Sequence, residues 1–313
     1  MRATRSLISN LRLFRQCLLL GFFLTPVLAV GQQNEETTLE LFKRVEREAI
    51  EAKHDYYLYL LATAYRSGDE VPQDYTEAMR LYRLAAELGD AWGQYYVGIM
   101  YAQGEGVPVD DTEAVKWYRL AADQGMRDAQ RQVATYYYQG KGVPQNYAEA
   151  MRFYRLAADQ GAEDVYVAIG QMYANGQGVP QNYAEAVKWY RLAAEQGEES
   201  IYSISGQFML AQMYANGQGV PQNYVEAVKW YRLAAEQGYG ISQVVLGEAY
   251  ANGQGVPSNY VTAYAWFNVA AASGIKLAID NRSIVEAEMT SSQIAEAQQL
   301  STEIFERIQQ GSQ

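Results

Sequence analysis

Apolar and polar positions along this chain repeat with one period. Val-Pro recurs at Val71-Pro72, Val107-Pro108, Val143-Pro144, Val179-Pro180, Val220-Pro221 and Val256-Pro257, at intervals of 36, 36, 36, 41 and 36 residues. A period on that scale marks a repeat array, in which each unit buries its apolar face against the next. Counted forward from each proline, the sixth residue is always alanine (Ala78, Ala114, Ala150, Ala186, Ala227, Ala263), and the ninth is Leu81, Trp117, Phe153, Trp189, Trp230 or Trp266. The tenth is Tyr or Phe, the thirteenth and fourteenth are Ala-Ala, and the seventeenth is glycine. Offsets 6, 9, 10, 13 and 14 trace one face of an α-helix.

The ends of that helix are also written. The second residue after each proline is Asp or Asn and the fifth is usually Glu, so Asp74 with Glu77 and Asn182 with Glu185 read as capping boxes. The glycine at offset 17 supplies the left-handed residue that stops the helix. Glu185, Lys188, Arg191 and Glu195 fall opposite the alanine and tryptophan face and read as a solvated outer surface. A second helix precedes each proline. It carries an aliphatic residue eleven positions before it (Leu61, Val97, Val133, Ile169, Leu210, Leu246), Ala or Gly next to that, and tyrosine seven before it. Small residues let neighbouring helices approach, and the tyrosines fill the space between them. Gly-x-Gly-Val-Pro joins the two helices in five copies, and the first copy has Glu70 in place of the second glycine. With no following Lys-Ser/Thr these glycines make turns, not a phosphate loop.

These residues closely resemble the Sel1-like repeat family, a relative of the tetratricopeptide solenoids. Its signature runs LG-x-x-Y-x-x-G-x-GV, then A-x-x-WY-x-x-AA-x-x-G, and residues 97 to 125 match it almost throughout. The resemblance implies an all-α fold: a right-handed superhelical solenoid of six antiparallel helix pairs that binds partners on its concave side, often as an exported bacterial adaptor. Six repeats are expected over 57–274, an N-terminal capping helix over 30–56 and C-terminal capping helices over 275–313. Leu39, Phe42, Val45, Ala49 and Ile50 space out the first cap; Thr290 with Gln293 opens the last helix, with Ile294, Leu300, Ile304, Phe305 and Ile308 on its apolar face. Repeat 6 has Thr262, Ala265 and Asn268 where earlier copies place charges, a bleached surface that can receive that helix.

Residues 1–29 follow another logic. Arg2, Arg5, Arg12 and Arg15 precede an apolar stretch from Cys17 that ends Val27-Leu28-Ala29, which reads as a secretory signal peptide cut after Ala29. An uncleaved anchor is the alternative, but about 13 apolar residues interrupted by Pro26 fall short of the roughly 20 that span a bilayer. The expected location is periplasmic or secreted, with no membrane insertion after cleavage.

The whole chain carries a net charge of −11, and loss of those four arginines leaves 21 basic against 36 acidic residues, so nucleic acid is repelled. The single cysteine, Cys17, lies in the leader, so no disulfide staples the mature fold and the disulfide-linked activity of cysteine-rich relatives is not implied. One histidine, His54, makes neither a metal cluster nor a nucleophile's base. The expectation is a non-enzymatic adaptor without cofactor or metal, binding a protein; the alternative is a cell-envelope carbohydrate binder or hydrolase.

Positions that vary while the scaffold repeats are where a partner can be encoded. Offsets −12, −9 and −5 on the first helix of each repeat give a nearly uncharged stripe that includes Tyr96, Ile99, Thr135, Gln171, Met209, Gln212 and Glu248, and Trp92 joins Tyr96 as a candidate ring surface. Five extra residues after repeat 4, within 198 to 206, bring Ile201, Tyr202 and Ile204, either as a lengthened helix or as a docking loop.

Overall fold

Each proline-centred period folds into two helices, as the spacing predicts. A computed structural model describes residues 38–311 apart from 70, 198 and 199; the signal-peptide reading therefore lies outside the described residues. The described helices are α1 (Thr38–Glu51), α2 (Asp55–Ser67), α3 (Tyr75–Glu87), α4 (Ala91–Gln103), α5 (Asp111–Asp123), α6 (Arg127–Gln139), α7 (Tyr147–Asp159) and α8 (Tyr166–Asn175). They continue with α9 (Tyr183–Ala194), α10 (Ile201–Asn216), α11 (Tyr224–Glu236), α12 (Gly240–Asn252), α13 (Tyr260–Ala272), α14 (Lys276–Glu286) and α15 (Ser291–Gly311). The chain divides into a unit ending at Pro108 and one beginning at Val109. In the first, α1 packs on α2, α2 on α3 and α3 on α4; in the second, each helix from α5 to α13 packs on the next, and α13 packs on both α14 and α15.

The repeated apolar positions are the core of both units. The aliphatic residues at offset −11 are all at most 1% exposed, and the alanines at offset 6 at most 2%. The tenth-position rings, Tyr82 in the first unit and Tyr118, Tyr154, Tyr190, Tyr231 and Phe267 in the second, are buried with them. Small residues beside the −11 position are needed for contact: a Cβ on Gly170 would stand 2.5 Å from the Tyr190 ring. Burying these side chains is the main favourable term in such a stack, because each repeat alone exposes both flanks.

Helix ends follow the sequence with one correction. Asp74 Oδ1 accepts from the Glu77 amide at 3.0 Å and Asn182 Oδ1 from the Glu185 amide at 3.1 Å, so the N-caps form. The glutamates do not reach back to close a capping box. The amides of Asp74 and Asn182 already donate to the Tyr65 and Tyr173 carbonyls, both at 2.9 Å, so Glu77 turns to Arg80 and Glu185 to Lys188. Thr290 and Gln293 do close a reciprocal box at the head of α15.

The second glycine of each linker makes the joint between repeats. In the second unit a Cβ on Gly142 would stand 2.2 Å from the Asp111 carbonyl oxygen, and Gly178, Gly219 and Gly255 lie as tightly against the backbone of Tyr147, Tyr183 and Tyr224. In the first unit Gly106 lies 2.5 Å from the Tyr75 carbonyl oxygen by the same measure. Every such contact is with the repeat before, and repeat 1, the copy with Glu70 at this position, has no repeat before it.

Joints are also fastened by side chains that the helical wheel places outside. Arg155 donates to the Tyr173 hydroxyl, Arg191 to Tyr214 at 2.7 Å and Arg232 to Tyr250, and in the first unit Arg83 donates to Tyr101. Arg191, read from the sequence as solvated, therefore ties its repeat to the next. Repeat 6 has Asn268 at this position, and Arg282 of α14 donates to it at 2.6 Å. One of its bleached positions is covered by the last helix: Ala265 shares a buried cluster with Val269 and Ile304, against which Leu300 and Ile308 pack.

Candidate functional site

The stripe on the first helix of each repeat differs in character between the two units. In the first, Tyr56, Tyr59 and Thr63 share a face of α2 by their spacing of three and four residues, and Trp92, Tyr96, Ile99 and Gln103 do so on α4. These two faces meet. Tyr59 has ring centroids 6.1 Å from Trp92 and 5.7 Å from Tyr96, and Trp92 lies 6.4 Å from Tyr96. Beneath them Tyr82 of α3 stacks on Tyr96 at 5.0 Å with planes 6° apart, and its hydroxyl meets that of Thr63 at 2.9 Å. The lower rings are held by burial. The outer ones are open, with Tyr56 46% and Trp92 44% exposed.

The edge of this surface is polar. Arg66 lies over the Tyr96 ring at 5.5 Å and donates from Nε to Glu105 at 2.6 Å. Asp90 caps α4, accepting from the Gly93 amide at 2.5 Å, and Asp55 begins α2 with its side chain 46% exposed. Burial raises the Asp90 carboxyl above the usual carboxylate range, the Gly93 amide opposes this, and the charge of Asp55 adds to it. Burial also pushes the Tyr59 phenol up to about 12, so it stays a neutral donor at any physiological pH. His54 stands at the edge, its Nδ1 3.9 Å from Asp55.

In the second unit the same stripe is muted. The Thr135 hydroxyl is occupied by the Arg131 carbonyl at 3.0 Å and by the Tyr154 hydroxyl at 3.2 Å. Met209 packs against the cluster of Phe208, Ala211, Ala227 and Tyr231, and Glu248 accepts from Asn281 at 2.9 Å. These three serve the fold. Gln171 and Gln212 are partly buried, as is Ile99 in the first unit.

The insertion after repeat 4 lengthens a helix: α10 has 16 residues against 13 in α12, and Ser200 caps its first turn by accepting from the Tyr202 amide at 3.3 Å. Ser203 in that turn is fully buried and donates to the Ala194 carbonyl at 2.9 Å. Ile201 and Tyr202 stay exposed at 68% and 39%, while Ile204 is partly buried. Among the described residues no group of three or more His, Cys, Asp or Glu side chains is placed to hold a metal ion.

Sequence reasoning found Trp92 and Tyr96 but missed Tyr56 and Tyr59. Tyr56 and Trp92 both sit sixteen residues before their proline, one helical turn ahead of the −12 position, so extending the stripe by that turn would have found Tyr56, whereas Tyr59 falls at offset −13, off those positions.

The Sel1 repeat model matches residues 56–90, 93–126, 127–161, 165–198, 204–239 and 240–275. No curated relative matches the chain. Among solved structures, a Sel1 repeat protein from Oxalobacter formigenes is 31% identical over 77% of this chain and all of that one, with a TM-score of 0.63. A protective antigen present in uropathogenic Escherichia coli strains, described as displaying an SLR fold, is 25% identical over 90% of this chain and 91% of that one, with a TM-score of 0.45.

Proposed function

The chain belongs to the Sel1 repeat family, and from that premise we propose that it is an exported binding scaffold whose protein partner docks on the first-helix side of repeats 1 and 2, over Tyr56, Tyr59, Trp92 and Tyr96. Sel1 repeats generally mediate protein–protein interaction, and proteins built from them are typically non-catalytic. One observation carries the reading to this surface: two large rings, Trp92 and Tyr56, stand nearly half exposed over a packed aromatic base. Rings on a rigid support are what an interface uses as anchors, since they bury large areas while losing few rotamers. Export rests on the arginines and apolar run of residues 2–29. The concave side of the array is where we place the partner.

A carbohydrate is the second reading, favoured by the same exposed rings, against which sugar rings can lie. Crosslinking capture from envelope fractions, with wild type compared against a Tyr56→Ala, Trp92→Ala double variant, tests the proposal. A protein captured by wild type and lost in the variant supports it. Equal capture moves the docking surface elsewhere, and no capture overturns the scaffold.

A further inference from the structure

We infer that the aromatic surface of α2 and α4 takes a cationic peptide segment, an Arg or Lys side chain lying over Trp92 and Tyr56 while Asp55 and Asp90 neutralise its charge; this rests on the scaffold reading above. Three features of the molecule select a cation over other occupants of an aromatic surface.

The first is what rims the rings. Tyr56 follows Asp55 directly in the chain, and Trp92 lies two residues after Asp90, so each open ring has a carboxylate at the head of its own helix. A neutral proline-rich peptide or a sugar stacks on rings without needing paired carboxylates, whereas a cation gains from both the ring face and the nearby anion. The Asp55 charge makes Asp90 harder to ionise, and an arriving cation relieves that repulsion.

The second is the cations already present. Arg66 is committed to Glu105 and covers Tyr96, leaving Trp92 and Tyr56 as the open rings. Arg66 over Tyr96 at 5.5 Å already places one guanidinium on an aromatic face of this surface. A ligand arginine would repeat that contact one turn away. The third is the net charge of −11, which draws cationic partners in and repels acidic ones.

Calorimetry on the full chain tests the inference, in about 0.15 M salt so that diffuse attraction is screened. The probes are a nine-residue peptide with three arginines among Gly and Ser, the same peptide with citrulline for arginine, and cellohexaose. The arginine peptide is expected to bind, and citrulline to weaken it about tenfold or more. Trp92→Leu and Asp90→Asn, the latter keeping a helix cap, are each expected to weaken it about fivefold or more. Glu195→Gln, an equal charge loss in the second unit, should leave it unchanged.

Equal binding of the citrulline peptide, equal weakening by Glu195→Gln, binding of cellohexaose alone, or no binding at all would each overturn the cationic-peptide assignment. If no probe binds while crosslinked capture is still lost in the Tyr56→Ala, Trp92→Ala variant, the scaffold reading stands and only the cationic chemistry falls. If capture is unaffected by that variant, the surface itself falls.

Discussion

Repeat 1 with the first helix of repeat 2, and repeats 3 to 5, are built from the same rows of residues and present different surfaces. Leu61 and Leu210 hold equivalent buried positions, and Arg83–Tyr101 and Arg155–Tyr173 are the same fastening. On the exposed flank the first region carries Tyr56, Tyr59, Trp92 and Tyr96, whereas the second carries Thr135, Gln171 and Gln212, with Thr135 hydrogen-bonded internally. The scaffold rows are enclosed by neighbours on both sides, whereas the flank leaves rings such as Tyr56 and Trp92 nearly half exposed. Difference accumulates where packing does not forbid it, so the aromatic flank is the part of the chain that packing alone does not explain.

That contrast can be broken or sharpened by experiment. The largest effects should fall equally on both regions: Leu61→Ala and Leu210→Ala each remove a side chain at most 1% exposed and should cost roughly 2–5 kcal/mol, read by denaturant unfolding. Markedly unequal losses would break the claim of one scaffold. Next is the joint: Gly178→Ala puts a Cβ 2.3 Å from the Tyr147 carbonyl oxygen at a φ of +71°, and a loss on the order of 2–4 kcal/mol is expected in the same assay. Tyr173→Phe removes the Arg155 hydrogen bond and should cost about 0.5–1.5 kcal/mol while leaving partner capture intact. Trp92→Ala should show the reverse, about 1 kcal/mol or less in stability because the ring is 44% exposed, with capture lost.

The smallest effect has opposite sign in the two regions. Pairing with Arg152 holds Glu149 below the usual carboxylate range, so its stabilisation is present above that range and fades as pH falls through the depressed value. Glu46 of α1 is raised, by burial first and by Glu77 next, so its favourable contribution belongs to the protonated form and is lost as pH rises through the raised value. As pH rises through the carboxylate range, Glu149→Gln should fall behind wild type in thermal unfolding and Glu46→Gln should gain on it. The same trend in both would contradict this assignment.

Most of the fold could be read in advance because it is local or periodic. Ala78, Leu61, Asp74 and Gly89 each report a helix face or end through neighbours a few residues away, and six copies average out the noise. The Arg–Tyr fastenings were not legible: Arg155 and Tyr173 are eighteen residues apart in different repeats, and a helical wheel for one helix has no neighbour on it. For the same reason Glu77 and Glu185 looked free to close capping boxes, when a tyrosine carbonyl from the preceding helix had taken the amide they would need. At the site, Trp92 and Tyr96 were visible as rings on a variable face. Tyr56 lay one turn beyond the stripe as counted, and Tyr59 was hidden because only the packing of α2 against α4 shows that rings from two repeats share one surface.

The glycine joint has a consequence for heredity. Gly178 and Gly219 fit against backbone, and backbone is the same in every copy, so the joint does not ask which repeat it meets. Repeats 4 and 5 read Tyr-Ala-Glu-Ala-Val-Lys-Trp-Tyr and Tyr-Val-Glu-Ala-Val-Lys-Trp-Tyr from residues 183 and 224, near-identical stretches between which recombination can misalign. An unequal exchange there would add or drop a whole repeat in frame, and the resulting chain would still close each glycine contact. Pairs such as Asp111 with Lys141 at 3.0 Å and Tyr138 with Gln177 at 3.3 Å belong to one joint each, and they would record in a descendant which copies had moved.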